Sequence, residues 1–153
     1  VSCSCAAIVL LAPHDWITRA IDLATGRRGW SHCFVDPGWA GVDPAVIDVS
    51  RTHGVQWSRW SRVVPEGIRT KRLPLRGGVA SHVLGSLTEH MGRPYSIATM
   101  LVQPLQISEL RARGVYCSGV VRDCLPRELR SLLPSQPSPS DLLAILPALE
   151  AAA

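Results

Sequence analysis

The sequence predicts an α+β fold in a single domain spanning residues 1–153. Three observations carry this expectation. Short apolar runs broken by turn residues crowd the first half of the chain, and the second half changes to stretches with helical spacing, so strands and helices are segregated. The composition, 46% hydrophobic and 18% charged, is that of a chain able to bury a core rather than a disordered one. A length of 153 residues suffices for one such core, and no internal repeat is visible.

The run AAIVLL, residues 6–11, is apolar throughout and reads as a buried strand. In HDWITRAIDLATG, residues 14–26, Asp15 stands where a cap is needed. Ile17, Ala20, Ile21 and Ala24 share one face, and Gly26 supplies a stop, so this stretch reads as a helix. WSHCFVD, residues 30–36, is a short strand ended by the Pro37–Gly38 turn, and AVIDVS, residues 45–50, is a second. GVQWSRW (54–60) and IRTKRLPL (68–75) read as further strands. The helical half begins with VASHVLGSLTEHMG (79–92), which turns Val83, Leu84 and Leu87 inward. YSIATMLVQPLQI (95–107) is a weaker apolar helix interrupted by Pro104. YCSGVVRDCL (116–125) is a third helix, burying Val120, Val121, Cys124 and Leu125 ahead of Pro126. PSQPSPS (134–140) is a loop, and DLLAILPALEAAA forms a short terminal helix whose tail, residues 146–153, is expected to fray.

A net charge of +4 is mild, and the arginines are scattered. Without a basic helix or an aromatic-basic ladder, nucleic acid is not an expected partner. Five cysteines is an odd number, which excludes a complete disulfide framework in a monomer. No C-x-x-C pair or zinc-finger spacing occurs, so neither a metal nor a cofactor is expected. A reducing compartment fits best: the cytoplasm, with release on cell lysis left open. The early apolar run AAIVLLA lacks a basic flank and is too short to span a bilayer, so neither a signal peptide nor an integral membrane segment is expected.

Three residues stand out as carriers of chemistry. A thiol acts as a nucleophile only as thiolate, and a helix N-terminus or a neighbouring imidazolium favours that form. Cys117 falls at the start of a predicted helix, with the small residues Ser118 and Gly119 beside it. The alternative is that Cys117 is a buried small apolar residue, as free cysteines commonly are. Of the five histidines, His32 alone lies within a strand, between large apolar neighbours; there the alternative is a packed core histidine. Asp48 lies on the next strand, flanked by Ile47 and Val49. If the two strands pair as a hairpin, Asp48 can stand beside His32 and orient its ring. The alternative for Asp48 is an edge-strand acid facing solvent.

YCSGVV resembles the nucleophile segment of the NlpC-type cysteine peptidases, in which Cys-Ser-Gly and two apolar residues open a helix. Here the histidine strand precedes the cysteine. This order resembles the circularly permuted branch, which includes the YiiX-like hydrolases and the lecithin retinol acyltransferase group. An opening apolar strand, a helix, the Ser-His strand WSHCFV, the strand VIDV, the GRPYS segment and a late SPSDLL follow the order of that branch over roughly residues 6–145. The resemblance implies a papain-like fold, permuted, with a small antiparallel sheet packed against helices. It implies Cys117 as nucleophile, His32 as base and Asp48 as the ring's orienting acid, with Tyr95, Tyr116 and Ser118 lining the substrate site; the alternative for Tyr95 is an aromatic that packs next to a turn. The sequence departs from the pattern at Cys33, where a small apolar residue is usual, and strand alternation turns Cys33 away from the cleft into packing. The opening strand also lacks the usual Gly-Asp.

The activity so implied is hydrolysis of an amide, such as a cell-wall peptide bond, or of a lipid ester, through an acyl-thioester on Cys117. Main-chain N–H groups at the helix start, that of Cys117 included, would hold the oxyanion. Two other readings share the scaffold: an acyltransferase, and a non-catalytic binding or structural module.

Overall fold

The computed structural model describes residues 5–16, 19, 20, 23, 29–96 and 115–151. Five successive apolar residues, Ala7–Leu11, form strand β1, and all five are buried. Such a run is stable only if both faces of the sheet are covered, and both are. Ile8 and Leu10 point into the larger cluster beneath the helices, whereas Ala7, Val9 and Leu11 point into a smaller one with Phe34 and Val46. Each fully buried Leu, Ile or Val side chain favours the folded state by roughly 1.5–3 kcal/mol.

The sheet has five antiparallel strands: β1, β2 (His32–Asp36), β3 (Ala45–Ser50), β4 (Gly54–Arg59) and β5 (Thr70–Pro74). Their order is β4-β3-β2-β1-β5, which puts β2 at the centre. Pro74, which has no N–H to give a ladder, sits on the edge strand β5. The class is α+β, as the segregated pattern requires. Strand β4 stops one residue earlier than its apolar pattern suggests. Trp60 opens a one-turn helix, α1 (Trp60–Val63), and packs edge-on against Phe34 with ring centroids 5.4 Å apart. With Val63, Val64 and Ile68, Trp60 covers the sheet's second face. Trp57, three positions earlier, points the other way and stacks on Trp39, both being exposed.

Helix α2 (Gly77–His90) buries Val83 and Leu87, one turn apart on one face. Helix α3 (Cys117–Cys124) buries Val120, Val121 and Cys124 and packs against β2, β3 and α2. A one-turn helix α4 (Arg127–Arg130), a 3₁₀ segment Ser140–Ile145 and helix α5 (Leu146–Ala151) complete the helical layer. The terminal segment is tied down where a frayed tail was expected. Leu142, Ile145 and Leu149 are buried, and α5 rests on β5.

Two further expectations fall differently. Tyr95 does not open a helix; it forms a parallel bridge with Val115, and residues 97–107 of that predicted helix lie outside the described residues. Of the stretch 14–26, Trp16, Arg19, Ala20 and Leu23 are helical and exposed, so Ala20 does not share a buried face. Ile17, Ile21, Ala24 and Gly26 lie outside the described residues. The Asp15 carbonyl accepts from Arg19 N–H at 3.1 Å, and its carboxylate accepts from Arg51 at 3.0 Å.

A lace of main-chain hydrogen bonds carries the β3–β4 hairpin to the start of α3. Val55 N–H donates to the Arg93 carbonyl at 3.0 Å, and Gly92 N–H donates to the Val55 carbonyl at 2.8 Å. Val115 N–H donates to the Pro94 carbonyl, and Ser96 N–H to the Val115 carbonyl. Gly54 permits this approach. Its φ is +70°, and a Cβ there would lie 1.9 Å from the Arg93 carbonyl oxygen. Gly54→Ala therefore combines left-handed strain with a backbone clash. The expected loss is at least about 2 kcal/mol, read as a lower denaturant midpoint at unchanged m-value.

Candidate active site

Strand β2, the centre of the sheet, begins at His32, and helix α3, packed across it, begins at Cys117. The two chain-remote segments thus start at the same place. The His32 ring is half-buried, with Nε2 lying 2.7 Å from Asp48 Oδ1. Asp48 is buried on β3, and it reaches His32 because β3 is the neighbour of β2 in the sheet. Since Asp48 occupies Nε2, Nδ1 is the ring atom left for the sulfur. His32 and Cys117 interact by charge and by hydrogen bond, and the Cys117 side chain is only 5% exposed.

The electrostatics favour an ion pair. Burial alone would lower the basicity of His32. The negative sulfur of Cys117, the bond to Asp48 and the bond to Cys117 outweigh it and raise the imidazole to about 10. Cys117 moves the opposite way, well below the usual thiol range. A hydrogen bond from the Cys33 side chain contributes most, burial opposes it, and the charge and hydrogen bond of His32 add to the lowering. Both shifts favour the imidazolium–thiolate pair. Helix α3 brings the N–H groups of its first turn to this place, its backbone bonding starting with Val120 N–H, which donates to the Tyr116 carbonyl at 3.0 Å.

Cys33 does not pack away from the site, as strand alternation had implied. It is fully buried in the cluster that includes Cys117, Val120 and Val121, and its thiol bonds to the Cys117 sulfur. His32 is the first residue of β2 and Cys33 the second, and both interact with the Cys117 sulfur. Burial, and then the Cys117 sulfur, push the Cys33 thiol well up, so it remains a donor. The one signal in the sequence was a cysteine adjoining the histidine. Cys124, seven positions along α3, is fully buried, and burial pushes its thiol up to about 12.

The three residues implied as substrate contacts divide. Tyr95 stands at the site: burial and then the Cys117 charge raise its phenol, with Cys33 and Asp48 acting the same way and Arg51 opposing. Tyr116 and Ser118, the other two residues so implied, are both buried. Tyr116 is buried against Gly119, where a Cβ would come within 2.7 Å of its ring, so the glycine makes room for the aromatic. Ser118 is fully buried and donates to the Pro137 carbonyl at 2.7 Å, fastening α3 to the proline-rich loop. That loop is closed by the Asp141 carboxylate, which accepts from Ser138 N–H and Oγ at 2.6 and 2.8 Å.

Asp48→Ala leaves Nε2–H without its acceptor and frees the ring to turn. The expected result is a fall in Cys117 alkylation at low pH and in any acyl turnover of roughly 100-fold. Asp48→Asn, which keeps an acceptor oxygen, should recover part of both.

Among the described residues, no group of three or more His, Cys, Asp or Glu is placed to hold a metal ion, and no helix is long and apolar enough to cross a membrane. No family model, curated protein or solved structure matches the chain.

Proposed function

We propose that this chain is a cysteine hydrolase of the permuted, papain-like NlpC type, acting on an amide or ester carbonyl. The observation that carries the reading is the convergence of Cys117, His32 and Asp48, with His32 Nε2 2.7 Å from Asp48 and the ring also hydrogen-bonded to the Cys117 sulfur. The Cys117 thiolate attacks the acyl carbon, and the oxyanion is held by N–H groups at the start of α3. His32 gives its proton to the leaving amine or alcohol as the bond to it breaks. It then takes a proton from water, which attacks the thioester and frees Cys117. Asp48 keeps the ring in the orientation that presents Nδ1 to sulfur and substrate. Tyr95 flanks the sulfur on the substrate side. The substrates that fit are cell-wall peptides, other small amides and lipid esters.

The test is to incubate the protein with a panel of cell-wall peptides, simple amides and lipid esters, and to follow product release and the mass of the trapped protein. The expected result is one acyl adduct, mapped to Cys117, with release of the leaving group. An adduct that forms and passes to an added alcohol or amine in preference to water would instead mark an acyltransferase. A protein in which Cys117 takes up alkylator at its ordinary high pH, with no acyl adduct from any member of the panel, would sink the enzyme reading.

A further inference from the structure

Cys33 makes and breaks no bond in the hydrolytic steps, yet it is the thiol hydrogen-bonded to the nucleophile. Cys117 opens α3, Cys33 is the second residue of β2, and α3 packs directly on that strand. Both side chains belong to the same buried cluster, and their sulfurs are hydrogen-bonded while both cysteines remain free. We propose that Cys33 is the resolving partner of Cys117: when a hydroperoxide oxidises the Cys117 sulfur, the Cys33 thiol captures it as an intramolecular disulfide. This modification rests on the reading of Cys117 as an ionised, approachable thiol.

The steps balance. The Cys117 thiolate attacks one peroxide oxygen, an S–O bond forms as the O–O bond breaks, and the departing hydroxide leaves as water with the His32 proton. Sulfur is oxidised by two electrons to a sulfenic acid and the peroxide is reduced. The Cys33 thiol then gives its proton to the now neutral His32, and its sulfur attacks the Cys117 sulfur. The S–S bond forms, the S–O bond breaks, and the hydroxide leaves as water with that proton. The sum is two thiols and one hydroperoxide giving a disulfide, water and the reduced hydroperoxide. Closing the bond brings the two hydrogen-bonded sulfurs to about 2.05 Å.

Among the described residues, the other thiols are poorly placed to compete. Cys124 lies seven residues along α3, about 10 Å down its axis. Cys5 precedes β1 at the end opposite Leu11, the residue that pairs with His32, and six residues of extended chain span roughly 20 Å. Cys33 is fully buried, so the first oxidation falls on Cys117 at the mouth of the helix. The disulfide removes the nucleophile while shielding its sulfur from the irreversible sulfinic acid.

The test uses the reduced full chain treated with hydrogen peroxide, followed by intact mass, peptide mapping and alkylation before and after dithiothreitol. Wild type is expected to lose two hydrogens, yield a cross-linked Cys33–Cys117 peptide and regain nearly all Cys117 labelling on reduction. Cys33→Ser, close in size, is expected to gain oxygens at Cys117 and not to regain labelling. Sulfinic acid at Cys117 of the wild type with Cys33 still a free thiol would overturn the proposal, as would a cross-link to Cys5 or Cys124. A cross-link without turnover of any acyl substrate would defeat the hydrolase reading alone, and turnover without a cross-link would defeat only the resolving role.

Discussion

Cys117→Ser is expected to lower acyl turnover by at least about 10⁴-fold while leaving the fold intact. The substitution exchanges one atom in a buried side chain, so stability should change little. The chemistry changes greatly. The site is built to hold a preformed thiolate: the Cys33 side chain donates to it, and the charge and hydrogen bond of His32 stabilise it. A serine hydroxyl does not ionise under these influences, and an imidazole kept protonated up to about pH 10 is a poor base for deprotonating it. The measurement is product release from whichever acyl substrate the panel identifies, with circular dichroism and thermal melting as folding controls. Retention of wild-type turnover by Cys117→Ser would move the nucleophile elsewhere.

His32→Ala carries the second large effect, and its readout needs no substrate. In wild type the thiolate persists well below the usual thiol range, so alkylation of Cys117 should already be near its plateau in mildly acidic solution. Removing His32 takes away the positive charge and one hydrogen bond, while burial continues to oppose ionisation. The thiol then moves back up, while the Cys33 hydrogen bond, the largest influence, continues to favour the thiolate. At pH 6 the thiolate fraction and the labelling rate should both fall, by at least about tenfold. The sign reverses on the basic side. As pH rises through about 10, wild-type His32 loses its proton while Cys117 stays ionised, so alkylation persists and turnover, which needs the acid, declines. A wild-type labelling profile that first rises near pH 8.5, unchanged in His32→Ala, would dissolve the pair.

Much of the frame was legible from residue pattern. The unbroken run Ala7–Leu11 marks a strand buried on both faces, and the spacing of Val83 and Leu87 marks a helix with one inward stripe. In α3 the inward set Val120, Val121 and Cys124 follows from the same period. The candidate residues Cys117, His32 and Asp48 were visible as residue types at suggestive local positions, and the order of motifs around them resembles a permuted hydrolase. Where local pattern misled, tertiary contacts had overridden it. Tyr95 has apolar neighbours that suggest a helix, yet its backbone pairs with Val115 beside α3. The terminal helix looks free to fray, but β5 offers Leu149 a surface to bury against.

Periodicity determined which residues face inward, because the 3.6-residue helix and the two-residue pleat are properties of a short length of chain. The number of strands and the place of Cys117 at a helix start have the same local origin. The strand order β4-β3-β2-β1-β5 was decided only in three dimensions, and with it the neighbours of His32. Strand alternation turned Cys33 away from the site; packing of α3 across the first residues of β2 turned it toward the sulfur. Burial and charge act through space, and a thiol's ionisation is set by whatever lies within a few ångströms, however distant along the chain.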